Sequence, residues 1–263
     1  MDMNANPYAA PRADVEAEPD RAQGEFMPFE DPVTYPSFRQ RVTETLRWLV
    51  ADLTRAGQGL GGNLSLGAPI GFFALLALLP STLAGMLAVL FPPQPIWQVW
   101  LGVPRTSAPS GGLLALMLLG VLFAGPIGTG IGLLIAGLVN HLGLWIVRGT
   151  REGLGLLVTY RSMLYGSTVV SLVVLPFQLL GHLPGALGSY LLGLPILLQV
   201  ASLFYQGVLL ARAHRTETWR GILGVWLPVL AFGGLVAACL GALWLVGGEV
   251  FQRSFLQGLR GGR

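Results

Sequence analysis

The chain has 263 residues, of which 53% are hydrophobic and only 11% are charged, against roughly 25% charged residues in an ordinary soluble domain. All sixteen basic residues are arginines, and they are spread between apolar runs. This spacing excludes a nucleic-acid footprint and is typical of membrane topology markers. The single Cys239 excludes a disulfide or a cysteine-based metal site within one chain.

Residues 1–36 predict a disordered acidic tail. Eight acidic residues stand against two arginines, six prolines interrupt any helix, and no apolar signal segment is present. We interpret this stretch as a solvated leader. A partner-docking arm is the alternative, because Phe26, Phe29 and Tyr35 supply the aromatic residues that a short docking motif needs.

Residues 37–57 predict an amphipathic helix. Apolar residues recur at helical spacing and six charged residues take the other positions, which makes the segment too polar to cross a bilayer. We expect it to lie in the headgroup plane with Trp48 at the interface. The alternative is a cytosolic helix packed on the protein's own loops. A glycine-rich hinge is expected at residues 58–67.

Residues 68–248 predict a membrane domain, so the expected fold class is all-α, a polytopic five-helix transmembrane bundle. The predicted spans are residues 69–91, 112–147, 158–181, 186–210 and 222–247, and a short C-terminal tail follows at 249–263. The second span has 36 uncharged residues and as one helix would reach about 54 Å, beyond the roughly 30 Å of hydrocarbon in a bilayer. It can be one helix kinked near Gly125 and Pro126, or two shorter pieces.

The placement of arginine decides between these topologies. The two arginines of the N-terminal tail are left aside. With five spans and the N-terminus inside, ten of the other fourteen arginines lie on the inner side and four on the outer side, whereas splitting residues 112–147 into two spans gives seven on each side. The positive-inside rule therefore favours five spans, with a cytosolic N-terminus and the C-terminus outside. Arg161, about one turn into the third span, is expected to reach back to the interface.

Two of the predicted spans carry small residues at every fourth position. They are Gly120, Ala124, Gly128, Gly132 and Ala136 in the second span, and Gly233, Ala237 and Gly241 in the fifth. Such stripes let helix backbones approach closely in lipid. We therefore expect the second and fifth spans to touch along these stripes.

A candidate polar site inside the membrane consists of Asn140, His141, Gln199 and Gln206. A buried imidazole beside an amide can relay protons or bind a substrate, or it can simply hold two helices together. His214, among the arginines of an inner loop, is expected to be solvated.

Chemistry-bearing motifs are missing from the sequence. It holds no nucleophile elbow, phosphate-binding loop or paired metal ligands, and no span interior contains a carboxylate. We therefore expect no enzyme, no cofactor, no metal site and no ion-coupled transporter.

From residue 40 onward the order of features resembles the YIP domain family, the Rab-interacting multi-span proteins and their bacterial relatives. Five stretches carry the resemblance: residues 45–50 (TLRWLV), 138–142 (LVNHL), 160–166 (YRSMLYG), 205–214 (YQGVLLARAH) and 218–224 (TWRGILG). The resemblance implies five helices, a cytosolic N-terminus, a non-enzymatic role and, for a bacterial-type member, the cytoplasmic membrane. In the eukaryotic relatives that role is binding prenylated Rab GTPases and supporting vesicle traffic.

Two functions follow as hypotheses. The leading one is an integral membrane scaffold or membrane-organising protein whose candidate partners are the lipid bilayer, a cytosolic or membrane protein and a second copy of the chain. The alternative is a small-solute or lipid permeation protein, a channel or an uncoupled transporter. The long second span and the neutral polar residues motivate this alternative. An intramembrane enzyme has little support because no acid, base and nucleophile occur together.

Overall fold

The computed structural model describes residues 26–92, 111–151, 154–181, 191 and 193–260. Within these residues the secondary structure is helical and contains no β-strand, which confirms the predicted all-α class. A short 3-10 turn at Pro28–Glu30 precedes the helices. These are α1 (Phe38–Ala51), α2 (Leu53–Gly62), α3 (Gly67–Leu90), α4 (Gly111–Ile146), α5 (Leu156–Leu180), α6 (Leu194–Ala213) and α7 (Thr218–Arg260).

Four of the described helices are long and apolar enough to cross a membrane: Gly67–Leu90, Gly111–Ile146, Leu156–Leu180 and Thr218–Ala242. α6 carries a shorter apolar stretch, Leu197–Ala213. Large apolar side chains cover the outside of these helices, and such a continuous apolar surface is suited to lipid rather than to water. The chain is therefore a multi-pass membrane protein, and its fifth crossing, through α6, stays a prediction.

The long run of the second predicted span forms one continuous helix, α4, rather than two pieces. Its regularity breaks at a π-helical turn, Gly120–Ala124, just before Pro126. The same arrangement occurs in α3, where the π turn Ala74–Leu78 precedes Pro80. Each π turn contains the carbonyl four residues before the proline, which has no N–H to bond it. The wider turn lets the helix continue past that gap.

Two helix connections meet at one end of the bundle, which we call the arginine end after Arg148, Arg151, Arg212, Arg215 and Arg220. Arg220 Nη1 on α7 donates a 2.8 Å hydrogen bond to the carbonyl of Arg148, just beyond α4. Arg148 and Arg215 each follow a helix C-terminus with positive φ, 54° and 51°, a left-handed conformation that commonly terminates helices. Both connections are therefore sharp turns, and the hydrogen bond from Arg220 fixes the connection after α4 to the start of α7.

The predicted disordered tail is wrong for residues 26–36, whereas residues 1–25 lie outside the described residues. Met27 and Pro28 are buried, and the backbone N–H of Phe29 donates to Thr45 Oγ1 at 2.8 Å. The ring of Phe29 lies 5.0 Å from that of Phe72, which in turn lies 5.1 Å from Tyr165. These aromatic contacts to α3 and α5 order a segment whose composition alone favours disorder.

The predicted amphipathic segment packs against the helices of the bundle. It forms two helices, α1 and α2, because Asp52 caps α2 through a 3.0 Å bond from the Arg55 N–H to its carboxylate. Trp48, Leu49 and Leu60 are buried in the main core cluster. The first half of the expected glycine hinge at 58–67 is the end of α2, and residues 63–66 connect it to α3. The apolar face is therefore covered by the protein itself.

The predicted stripes do not mediate contact between helices. A Cβ added at Gly120, Gly128, Gly132, Gly233 or Gly241 would meet no atom within 4 Å, and Ala124 and Ala237 are exposed while Ala136 is half-buried. α4 and α7 do touch, but nearer the arginine end: a Cβ at Gly143 would collide with the carbonyl oxygen of Gly224. Gly143 and Gly224, which do not belong to the predicted stripes, thus set the distance between these two helices.

Candidate functional site

The most constrained polar group of the described chain is the ion pair between Arg161 on α5 and Glu30 of the N-terminal segment. Arg161 Nη2 lies 2.7 Å from Glu30 Oε1, and the two side chains are 0% and 2% exposed. The Glu30 carboxylate also accepts hydrogen bonds from Tyr165 Oη at 2.8 Å and from Asn63 Nδ2 at 3.1 Å. Its oxygens are therefore well satisfied without water.

The guanidinium of Arg161 also caps the C-terminal end of α2. Its Nε donates to the carbonyl of Leu60 at 2.9 Å, and Nη1 donates to that of Ser65 at 2.6 Å. Carbonyls of the last helical turn have no partner within the helix, so a cation there supplies the missing donors and suits the helix dipole. One side chain thus joins the N-terminal segment, α2 and α5.

Arg161 was expected to reach the lipid interface. Its guanidinium is instead buried in the protein near the arginine end, where Glu30 neutralises its charge. One signal could have found this partner: an arginine inside a span requires a carboxylate, and no predicted span contains one. The partner had to come from outside the spans.

A cavity of about 440 Å³ lies between α4, α5, α6 and α7 and brings together three of the four candidate site residues. Its polar lining consists of Thr129, Asn140, Ser167, Ser171, Gln199, Ser202 and Gln206. No charged residue lines it. From Thr129 to Asn140 the lining extends about 16 Å along α4, so the cavity lies within the apolar length of the bundle.

Hydrogen bonds inside the cavity are incomplete. Asn140 Nδ2 lies 3.2 Å from the sulfur of Met163, a weak acceptor. Gln206 Nε2 donates to Ser167 Oγ at 3.4 Å, while the buried Gln206 Oε1 has no partner among the described residues. A buried acceptor without a donor is unfavourable. A small uncharged molecule carrying a hydroxyl or amide N–H would satisfy it.

His141, the fourth candidate, lies outside this cavity. Its Nδ1 is 2.9 Å from Thr159 Oγ1, and the same hydroxyl is 2.9 Å from His214 Nε2. A threonine hydroxyl has one proton, so it donates to one imidazole and accepts from the other. Sequence reasoning missed Thr159, which carries no signal of its own within an apolar helix.

His214 is fully buried, which corrects the expectation of a solvated side chain. Burial, and to a lesser extent the nearby His141, lowers its pKa to about 4. The neutral form is therefore favoured at neutral pH. The connection after α6 turns so sharply at Arg215 that the side chain packs under the arginine end rather than into solvent.

Among the described residues, no group of three or more His, Cys, Asp or Glu is placed to hold a metal ion. The two polar features are of different kinds. The ion pair near the arginine end has all its hydrogen-bonding groups satisfied, whereas the neutral cavity farther along the helices contains a buried acceptor without a donor. The first is suited to holding the structure together, and the second to binding an uncharged molecule.

Helices, apolar surface and polar interior together define an all-helical multi-pass membrane protein. No protein-family model matches the sequence, and the searches of curated proteins and of solved structures also returned no match. The resemblance to the YIP domain family stays a prediction.

Proposed function

We propose that this membrane protein is a non-catalytic scaffold of YIP type, which binds a protein partner on the cytosolic side through its N-terminal segment. The observation that carries the proposal is the Arg161–Glu30 pair. It attaches residues 26–30 to α5, so the described part of the N-terminal segment lies at the arginine end. Residues 1–25 hold six acidic side chains and two arginines, which suits a partner with a basic surface.

Two further observations support this proposal. The connections after α4 and α6 place Arg148, Arg151, Arg212 and Arg215 on the same end as the N-terminal segment, in keeping with a cytosolic arginine end. The resemblance to the YIP family, which implies five spans, is compatible with the four long apolar helices and the shorter apolar stretch of α6. For a bacterial-type member, the membrane is the cytoplasmic one, with the C-terminus outside.

Photo-crosslinking combined with charge removal in the acidic segment tests the scaffold. A photo-crosslinking amino acid at Tyr8 should capture a protein in the native membrane. Replacing Asp14, Glu16, Glu18 and Asp20 with their amides should abolish capture while leaving Glu30 in place. The matched control replaces Glu44 and Asp52 of the described helices in the same way. Capture that survives the amide replacements, or no captured protein at all, contradicts the proposal.

A second candidate is favoured by the neutral cavity: an uncoupled permeation protein for a small polar solute. The cavity volume of about 440 Å³ is within the range of small-molecule sites. Its buried acceptor, Gln206 Oε1, is free to bind a passing hydroxyl.

Solute flux tests this second candidate. Proteoliposomes should show a flux of small polyols that falls when Asn140→Leu closes the cavity. Gln178→Leu is the control, because Gln178 is an exposed amide on α5 that does not line the cavity. Equal flux from both variants and the wild type rules out permeation.

A further inference from the structure

Two further cavities lie end to end along α5. They share none of the polar residues that line the neutral cavity. The outer cavity, about 520 Å³, is at the arginine end and is lined by His141, Thr150 and Arg151. The inner cavity, about 370 Å³, lies between α3, α4 and α5. Leu157, in the first turn of α5, lines both. The two cavities are therefore adjacent at the start of that helix.

The inner cavity is apolar. Leucine, isoleucine, phenylalanine and other uncharged side chains line it, and Tyr160 directs its hydroxyl to the carbonyl of Leu134 at 2.8 Å. Along α3 the lining runs from Leu66 to Leu78, about 18 Å by helical rise. This is close to half of a hydrocarbon core of roughly 30 Å. The dimensions suit one acyl chain of a single leaflet.

The outer cavity carries the polar groups. The Arg151 guanidinium forms no ion pair with any described residue, and Arg151 is exposed. Thr150 contributes a hydroxyl, and Gly155 to Leu157 contribute the N-terminal turn of α5 to the lining. The cavity therefore complements an anionic group that has several oxygen acceptors.

The buried histidine chain orients His141 toward this cavity. His214 Nδ1 is buried without a partner, and an unpaired N–H there is less favourable than an unpaired lone pair. His214 then carries its proton on Nε2 and donates to Thr159, whose hydroxyl donates to His141 Nδ1. The proton of His141 is consequently on Nε2, as a hydrogen-bond donor for a ligand oxygen.

We infer that the two adjacent cavities together bind an anionic phospholipid, with its phosphate beside Arg151 and His141 and one acyl chain in the inner cavity. The order of the cavities matches the bilayer, since the charged end lies at the helix termini and the apolar end points toward the membrane centre. The second acyl chain stays in the surrounding leaflet. Thr159 and His214 act as positioning residues for His141. The site goes beyond both proposed functions, because it includes neither residues 1–25 nor Asn140 and Gln206.

Two substitutions, each with a matched control, separate the two halves of the site. Gly130 lines the inner cavity and a Cβ there meets no atom within 4 Å, so Gly130→Leu fills the cavity without a backbone clash. Gly128→Leu makes the same change two residues away, also in open space but outside the cavity. Arg151→Gln removes the cavity's arginine, and Arg148→Gln removes a neighbouring one that does not line it.

Native mass spectrometry of the full-length protein, released from detergent, counts retained lipids. The probes are dimyristoyl phosphatidylglycerol, phosphatidylcholine with the same chains, and chain-free glycerol phosphate. The wild type should retain phosphatidylglycerol preferentially. Arg151→Gln should reduce that retention roughly tenfold, Gly130→Leu should reduce retention of both lipids, and both controls should behave as the wild type.

Three results overturn the inference. Equal retention of the two lipids by the wild type removes the charge recognition. Equal retention by Gly130→Leu and Gly128→Leu removes the acyl-chain site. Displacement of phosphatidylglycerol by glycerol phosphate at equal concentration assigns the outer cavity to a soluble phosphate compound instead of a lipid. None of these outcomes depends on the captured protein partner or on solute flux, so the proposals fail separately.

Discussion

Arg161 and Glu30 lie 131 positions apart in the chain, yet their charged groups are 2.7 Å apart and almost completely buried. The pair brings the N-terminal segment onto α5 and closes the C-terminal end of α2. An isolated buried charge is strongly unfavourable, so each residue makes the burial of the other tolerable. This relationship makes residues 26–30 part of the membrane domain.

Breaking the pair should destabilise the protein. Glu30→Gln leaves Arg161 buried without its counter-charge, and we expect a loss of about 3–5 kcal/mol in the free energy of unfolding. Thermal unfolding of the purified protein in detergent micelles measures it. Glu44→Gln is the control, because the Glu44–Arg47 pair is longer, 3.4 Å, and solvent-exposed, and should contribute under about 0.5 kcal/mol. Similar losses in the two variants would contradict the role assigned to Glu30.

The contact between α4 and α7 should depend on Gly143 and not on the predicted stripes. A Cβ at position 143 collides with the Gly224 carbonyl, so Gly143→Ala should separate the two helices and cost about 1–3 kcal/mol. Gly132→Ala adds the same methyl in open space and should be neutral, or stabilise α4 by up to about 1 kcal/mol. Unfolding temperatures of the two variants decide this, and an unstable Gly132→Ala would restore the stripe as a contact surface.

Stability should fall in mild acid because of His214. The pKa of His214 is about 4 in the folded protein, against the ordinary value of 6.5 that we assign to the unfolded chain. The unfolded chain therefore takes up the proton first as the pH falls. The contribution of His214 is complete above pH 6.5 and is lost as the pH falls from 6.5 to about 4, by an amount on the order of 3 kcal/mol. Unfolding temperatures measured across that range check the slope.

A His214→Gln variant serves as the reference for this pH dependence. It keeps a polar side chain near Thr159 but does not titrate, so its unfolding temperature should vary less with pH over the same window. Asp31, whose pKa is lowered from 3.8 by its hydrogen bonds to Thr34, titrates below the window in both proteins. An unchanged slope in the variant would show that other groups govern the acid response.

Replacing Gln206 should lower solute binding without lowering the free energy of unfolding. Its Oε1 is buried without a partner and its other hydrogen bond is long, 3.4 Å. Gln206→Leu should therefore leave the free energy of unfolding unchanged, or raise it by about 1 kcal/mol. If the cavity binds a polar solute, flux or solute protection should fall in the same variant. A clear loss of stability would instead identify Gln206 as a structural hydrogen-bonding residue.

Sequence reasoning located the membrane helices well and the contacts between them poorly. Runs such as 112–147 are recognisable because their length and lack of charge have a direct physical meaning in a bilayer. The assembly of Asn140, Gln199 and Gln206 around one cavity was also within reach, since neutral polar residues in spans tend to face the protein interior. The predicted contact between the stripes at Gly120 and Gly233 is wrong, because a four-residue repeat predicts a close-packing surface without predicting its partner.

Hydropathy and helical period, read along the chain, determined that this protein is an all-helical membrane bundle, because those properties are local. Only the tertiary structure decided that Glu30 pairs with Arg161, that Thr159 joins two histidines, and that α1 and α2 pack against the bundle. These contacts join residues far apart in the chain. Their formation depends on how whole helices come together, which no local pattern records.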